Sequence, residues 1–210
     1  SDYSSFNLKY EFNYFTDIDS NIRIGYRFHN EYFSSRFAPS LAAEIDLQHK
    51  EIWLSWFNDW NVSKQISLQY GIDYRKPEII KGDVIINNSI IISAFSEFLR
   101  QDVFGYFSQL HYKLSEDTEL TLGLRYESVS AIASQASPKF SFIHHINEHH
   151  TLKLLYGEAF RSPAFSELIT IGNSIQGNPD LEPETISSSE IIWMYNWQQY
   201  WISFSYFENI

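Results

Sequence analysis

Four histidines crowd the heptapeptide HHINEHH, as His144, His145, His149 and His150, and so many imidazoles within seven residues could hold zinc or nickel. The segment also reads as a polar hairpin turn, and alternation along a strand throws each neighbouring pair to opposite faces. The turn reading is preferred, and no metal site is expected. Arg161 and Glu167 open a Pro- and Asn-rich stretch. The forked guanidinium could grip an anionic ligand, or could tie a loop to the adjoining strand through a carboxylate. Asp73 and His111 lie on polar strand faces, yet no spacing pairs them. The chain carries no GxSxG, no phosphate-cradling glycine loop and no HExxH. Catalytic residues are therefore not expected, an enzyme is not the favoured reading, and no resident cofactor is implied.

The stretch that holds Arg161 runs from Tyr156 to Glu184, YGEAFRSPAFSELITIGNSIQGNPDLEPE, and joins two strand-like runs. Proline cannot donate to a sheet ladder, so Pro163, Pro179 and Pro183 force the chain out of regular pairing. Asn178-Pro179 and Gly172-Asn173 are turn-forming pairs. A connection of roughly twenty residues is long for a compact fold, which marks it as functional or disordered.

The elements around it are strands. Ile66, Leu68, Tyr70, Ile72 and Tyr74 alternate with polar residues that include Asp73 and Arg75. Leu120, Leu122, Leu124 and Tyr126 alternate with a set that includes Arg125, and Ile22, Ile24, Tyr26 and Phe28 with Arg23 and Arg27. Phe6 to Tyr14 repeats the pattern. Period two places each set on one face. Less regular faces are Phe140 with Phe142; Leu152, Leu154 and Tyr156; Ile191, Trp193, Tyr195 and Trp197; and, after a two-residue turn, Tyr200, Ile202, Phe204 and Tyr206. Residues 45–57 change phase midway, which points to a bulge or a shifted boundary. About ten strands result, each about the 9–11 residues that cross a bilayer at a tilt.

Composition sets the environment. There are no cysteines and one Met, against six Trp, fourteen Tyr and seventeen Phe, an aromatic share of 18% that suits a membrane interface. No apolar run is long enough for a transmembrane helix, so only a closed β-barrel could span lipid. The mean hydropathy of −0.29 does not oppose this, since alternating strands dilute their own signal. The net charge of −11, without a basic stripe, disfavours nucleic acid, and no nucleic-acid partner is expected. A water-faced sheet packed on a second sheet is the competing architecture. Lys or Arg midway along an apolar face, which costs about 2–4 kcal/mol at the bilayer midplane, would favour it. The four cleanest strands carry none there.

Connection lengths add independent information. Short ones fall near 16–21, 58–65, 115–118, 147–150 and 198–199, and long ones near 34–44, 76–101, 129–136 and 161–184. Alternation of short and long is the habit of outer-membrane barrels, with tight periplasmic turns and long extracellular loops. On this logic the first strand runs toward the periplasm and the Tyr156–Glu184 loop faces outside.

Gly157, Ala159, Phe160, Arg161, Pro163, Glu167, Leu168, Gly177, Asn178, Pro179, Leu181, Pro183, Glu184 and Glu190 fall in an order and spacing that closely resembles the late-barrel signature of TonB-dependent outer-membrane receptors. In that signature a YGxAFRxPxxxEL pattern is followed by GNPxLxPE. The resemblance implies an all-β, antiparallel transmembrane barrel of about 22 strands with a plugged lumen. Residues 1–210 would be its middle-to-late segment, with the plug domain and the remaining strands outside it. Ser1 opens almost directly into a strand, which fits an interior piece.

The same resemblance implies ligand-gated, TonB-energised uptake of a scarce nutrient across the bacterial outer membrane, most often a ferric siderophore carrying Fe3+. The implied partners are outer-membrane lipid, the TonB complex acting through the plug, and the ligand. The loops 76–101 and 161–184 would form part of the ligand mouth. Arg161, Pro163, Glu167, Asn178, Pro179 and Glu184 are the loop-motif candidates, with Arg161 read first as a tie between loop or plug and barrel wall. Arg23, Arg27, Asp73, Arg75 and Arg125 are the lumen-face candidates, and plug residues are the expected partners of the arginines. From a different class, a complete ten-stranded porin or rim enzyme is the alternative. Within the family, haem is the nearest rival, but Phe160-Arg161-Ser162-Pro163 and Asn178-Pro179-Asp180-Leu181 enclose no histidine as axial ligand. Cobalamin and carbohydrate stay open.

Overall fold

The computed structural model describes residues 2–38, 41–86, 89–93, 100–130, 132–164, 167–168 and 177–210. Eleven strands follow in chain order: β1 (Asp2–Phe15), β2 (Ile18–Ala38), β3 (Leu41–Asn61), β4 (Ile66–Ile86), β5 (Ser89–Ser93), β6 (Val103–Ser115), β7 (Thr118–Val129), β8 (Ala133–His145), β9 (His150–Arg161), β10 (Glu184–Trp197) and β11 (Tyr200–Asn209). Ten of them lie side by side in sequence order in one sheet, and the short β5 pairs with β4. By internal contacts the chain divides into two units. The first is Ser1–Tyr10, Ile22–Ser55 and Asp73–Phe104; the second is Glu11–Asn21, Trp56–Ile72 and Gly105–Ile210.

Register in the second unit turns the period-two pattern into rows. Leu120 faces Phe142, Phe142 faces Leu154, Leu154 faces Ile191 and Ile191 faces Tyr206, so one apolar row crosses five strands. Within this row Ile191 and Tyr206 are exposed, at 52% and 69%, and Leu120, Phe142 and Leu154 are half-buried; Leu124, on the same face of β7 as Leu120, is 53% exposed. The protected positions are often polar instead, with Ser20 and Asn58 only 3% and 2% exposed. Among the described residues the buried apolar side chains, Pro163 apart, are Val103 and Val129. Ile24, Tyr26, Ile52 and Leu54 of the first unit are likewise exposed. A sandwich would hide these stripes between layers. Apolar outside and polar inside is the inversion that hydrocarbon solvent demands.

The short connections are close to expectation, and they are tied together. The Asn61 N–H donates to the Asp17 carbonyl, Lys113 to Gln65, His145 to Asp117 and Asn196 to His149, each at 2.8 Å. Each of these turns thus hands a carbonyl to the strand that passes it. The long connections are different. The expected loop 34–44 is mostly the ends of β2 and β3, and 76–101 is strand through Ile86, then β5. Residues 39–40, 87–88 and 94–99 of these two stretches lie outside the described residues. The expected loop 129–136 is a short turn, because Val129 already pairs with Ala133. The link between β9 and β10 alone keeps the expected length. β3 runs through 45–57 as one strand, so the phase change there marks no boundary.

Gly71 shows how tightly neighbouring strands approach. A Cβ added there would stand 2.3 Å from the Trp56 carbonyl oxygen and 2.8 Å from the Phe107 ring. The nearest atom to a Cβ on Gly157 is 4.0 Å away. In the intact protein in lipid vesicles, Gly71→Ala is expected to lower unfolding stability by about 1–3 kcal/mol, as overpacking does. Gly157→Ala is expected to stay within about 0.5 kcal/mol. Denaturant titration of the two variants checks the difference.

Candidate functional site

β9 ends at Arg161 and β10 begins at Glu184, and these two residues are partners on the last rung of their ladder. Arg161 sits between two carboxylates. Its Nε and one terminal nitrogen donate to Glu184 at 3.1 and 3.0 Å, while its two terminal nitrogens donate to Glu167 at 2.9 and 3.1 Å. Glu167 also accepts the Ala164 N–H at 2.7 Å, and the N–H groups of Glu167 and Leu168 turn back onto the Ala164 carbonyl. The far arm of the connection is joined to the same point, since the Asn178 N–H donates to the Glu167 carbonyl at 2.9 Å. The Asn178 side chain then accepts the Asp180 N–H at 3.0 Å, closing an Asx turn around Pro179. Pro163 is buried beside this knot and Pro179 is exposed.

The six motif residues therefore come together as a buttress at the base of the connection. Guanidinium hydrogen bonds from Arg161, then the Ala164 N–H, hold the Glu167 carboxyl below its ordinary value. Each of the three guanidinium nitrogens of Arg161 is engaged, and two carboxylates against one cation leave the knot net negative.

Of the lumen-face candidates, Arg125 lies in the same unit as the buttress; Arg23, Arg27, Asp73 and Arg75 lie in the other. Partners for Arg27, Arg75 and Arg125, expected from a plug, occur in their own sheet. Arg27 is 3.5 Å from Glu51 and stacks over the Trp53 ring at 5.5 Å. Arg75 is 4.0 Å from Asp73, and Arg125 is 2.7 Å from Glu127. Residues two apart on a strand share a face, which puts the last two pairs in reach. His111 meets Thr121 at 3.2 Å. The four clustered histidines turn to different partners: His144 to Thr118, His145 to Thr151, His149 to the Asn196 carbonyl, and His150 to the rings of Trp193 and Tyr195. Sequence reasoning missed a close imidazole pair, His29 and His49 at 3.1 Å on β2 and β3. No motif signals it, because cross-strand register alone makes them neighbours.

A model of the TonB dependent receptor-like β-barrel family matches residues 1–209. The chain belongs to this family. It is a family of receptors and transporters rather than enzymes, and its barrels lie in the bacterial outer membrane. The chain is similar to the probable TonB-dependent siderophore receptor PirA of Acinetobacter baumannii, 28% identical over 130 residues, which are 54% of this chain and 16% of that protein. It is similar to the ferrienterobactin receptor of Escherichia coli at 25% over 111 residues, 46% of this chain and 15% of that one. It thus aligns with about one-sixth of the length of these curated relatives.

Among solved structures, the ferric enterobactin receptor PfeA of Pseudomonas aeruginosa superposes with a TM-score of 0.80 over 99% of this chain and 34% of that one, at 17% identity. The copper transporter OprC superposes at 0.72 over 99% and 38%, at 15% identity. Identities this low speak for the fold, and receptors named for different cargoes share it.

Arg161→Lys replaces a fork by a point charge and cannot keep all four hydrogen bonds. Protease cleavage between β9 and β10 in the intact receptor is expected to quicken about two- to fivefold, the scale of an exposed ion pair. A second expectation concerns acid. Because the Glu167 carboxyl is lowered in the folded state, its contribution is complete above the ordinary carboxylate value and is lost as pH falls through the lowered one. Hydrogen exchange at the Ala164 amide, corrected for intrinsic rate, should show protection that persists through mild acid and then disappears.

Proposed function

We propose that this chain is the middle-to-late barrel wall of a receptor that captures a ferric siderophore outside the cell and passes it through the outer membrane. In this reading a plug domain, carried elsewhere in the protein, fills the lumen and couples it to the TonB complex. The connection between β9 and β10 contributes to the ligand mouth, and the Arg161–Glu167–Glu184 buttress sets where that connection leaves the wall. The observation that carries the proposal is the family match across residues 1–209, joined to apolar rows that face outward on strand after strand. The siderophore assignment draws support from relatives whose names specify siderophore or ferrienterobactin.

Arg161 acts here as a positioning residue. Its donors are already committed to two carboxylates, so a negatively charged cargo reaches it only by displacing one of them. The chemistry asked of the wall is reversible binding and guided passage, with no covalent step.

Deleting the whole gene and following uptake of individual ferric chelates under iron limitation tests the assignment. Uptake of one chelate class should fall to background while the others continue. Unchanged uptake of every chelate offered would remove the siderophore reading and leave the barrel architecture intact.

A further inference from the structure

The close imidazole pair on β2 and β3 lies in the first unit. Arg27, His29 and Glu31 alternate along β2 and so share a face, opposite the exposed Ile24 and Tyr26, and Glu51 and Trp53 of β3 meet Arg27 on it. His29 Nδ1 stands 3.1 Å from His49 Nε2 and 3.3 Å from Glu31 Oε1. A ring nitrogen carries at most one hydrogen. If it lies on His29 Nδ1, His49 Nε2 and the carboxylate compete for it. If it lies on His49 Nε2, the Nδ1 lone pair faces the negative oxygen. The ring positions add a second observation. The two planes cross at 88° with their centres 4.8 Å apart. A straight N–H···N bond of the observed length would hold the centres about 5.4 Å apart. The two ring axes are therefore bent away from a straight hydrogen bond.

We infer that His29 and His49 chelate a first-row divalent transition-metal ion. Donors about 2.0–2.1 Å from such an ion sit about 2.9 Å apart at a right angle and about 3.3 Å apart at the tetrahedral angle. The 3.1 Å between the nitrogens falls within that span. With both lone pairs aimed at one ion, the ring centres come to about 4.9 Å, close to the separation found. Imidazole ligands select zinc, nickel or copper over magnesium and calcium, which take oxygen, and Cu2+ binds tightest in that series. No group of three or more His, Cys, Asp or Glu side chains that could hold an ion occurs among the described residues. The centre is therefore a two-nitrogen chelate whose other positions hold water, and the Glu31 carboxylate accepts a hydrogen bond from one such water. Arg27, the nearest cation along β2, is engaged by Glu51 at 3.5 Å and by the Trp53 ring. Because its ligands come from neighbouring strands, the ion also clips β2 to β3. The site is independent of the cargo.

Carbethoxylation of the intact receptor in lipid vesicles, read histidine by histidine with peptide mass spectrometry, tests the centre. The vesicles are stripped with a chelator and then given micromolar Zn2+ or the same amount of Mg2+. Zn2+ is expected to slow modification of His29 and His49 about tenfold, as an ion at ten times its dissociation constant does. His111, which meets Thr121, should keep its rate, and Mg2+ should protect none of the three. In His49→Gln, Zn2+ should no longer protect His29. Unchanged rates at His29 and His49 in the native protein, equal slowing of His111, or protection of His29 that survives His49→Gln would overturn the inference. The native protein decides the first two outcomes even where the variant does not fold. Because the read-out is chemical modification and not uptake, a wrong siderophore assignment leaves it unaffected.

Discussion

A backbone N–H or C=O left without a partner in hydrocarbon costs several kcal/mol, and that penalty governs this chain more than any side-chain contact. Antiparallel strands laid side by side in sequence order satisfy it, because each strand in the row between β1 and β11 is paired along both of its edges. The four bonds from Asn61, Lys113, His145 and Asn196 to the neighbouring turns carry the same satisfaction past the strand ends. Once the ladder is complete, a large apolar core is not needed. Polar residues therefore take protected places: Ser20 donates to the Asn58 side chain at 2.7 Å, and Asn58 reaches the Tyr70 carbonyl at 3.5 Å. The apolar side chains are left to meet lipid.

Lipid also explains which parts of the fold can be read from sequence. Leu120 to Tyr126 alternate because one face of β7 meets hydrocarbon and the other does not, so each substitution is judged by which side it faces. β2, β3 and β4 each contain 21 residues, about twice what crosses a bilayer. Beyond the apolar band both faces of a strand meet water and nothing enforces period two. The stretches near 34–44 and 76–86 lose alternation for that reason and read as loops. The segment 129–136 misleads differently. Its small and polar residues resemble a loop, yet the Val129–Ala133 pair keeps the hairpin tight.

The buttress was legible in part. Prolines and turn pairs mark the connection, and the family signature draws attention to Arg161, Glu167 and Glu184. That one guanidinium bridges both carboxylates follows from Arg161 and Glu184 ending neighbouring strands on the same rung. The Asn178 N–H to Glu167 carbonyl bond was not legible, since a backbone donor carries no side-chain signature. The His29–His49 contact was hidden for a related reason: it depends on the register between β2 and β3, which the side chains alone do not specify.

The state of Arg161 bears on where selectivity can reside. A guanidinium gains strength as a ligand anchor when its forked donors are unfilled, and here each of its three nitrogens already faces a carboxylate. An anionic cargo would meet a net negative knot and would have to replace Glu167 or Glu184, so recognition at this point works against its own electrostatics. The arrangement suits a fixed departure angle for the β9–β10 connection. On the proposed function, discrimination among cargoes would then fall to residues outside the motif. This accords with barrels as alike in fold as a ferric enterobactin receptor and a copper transporter being named for such different cargoes.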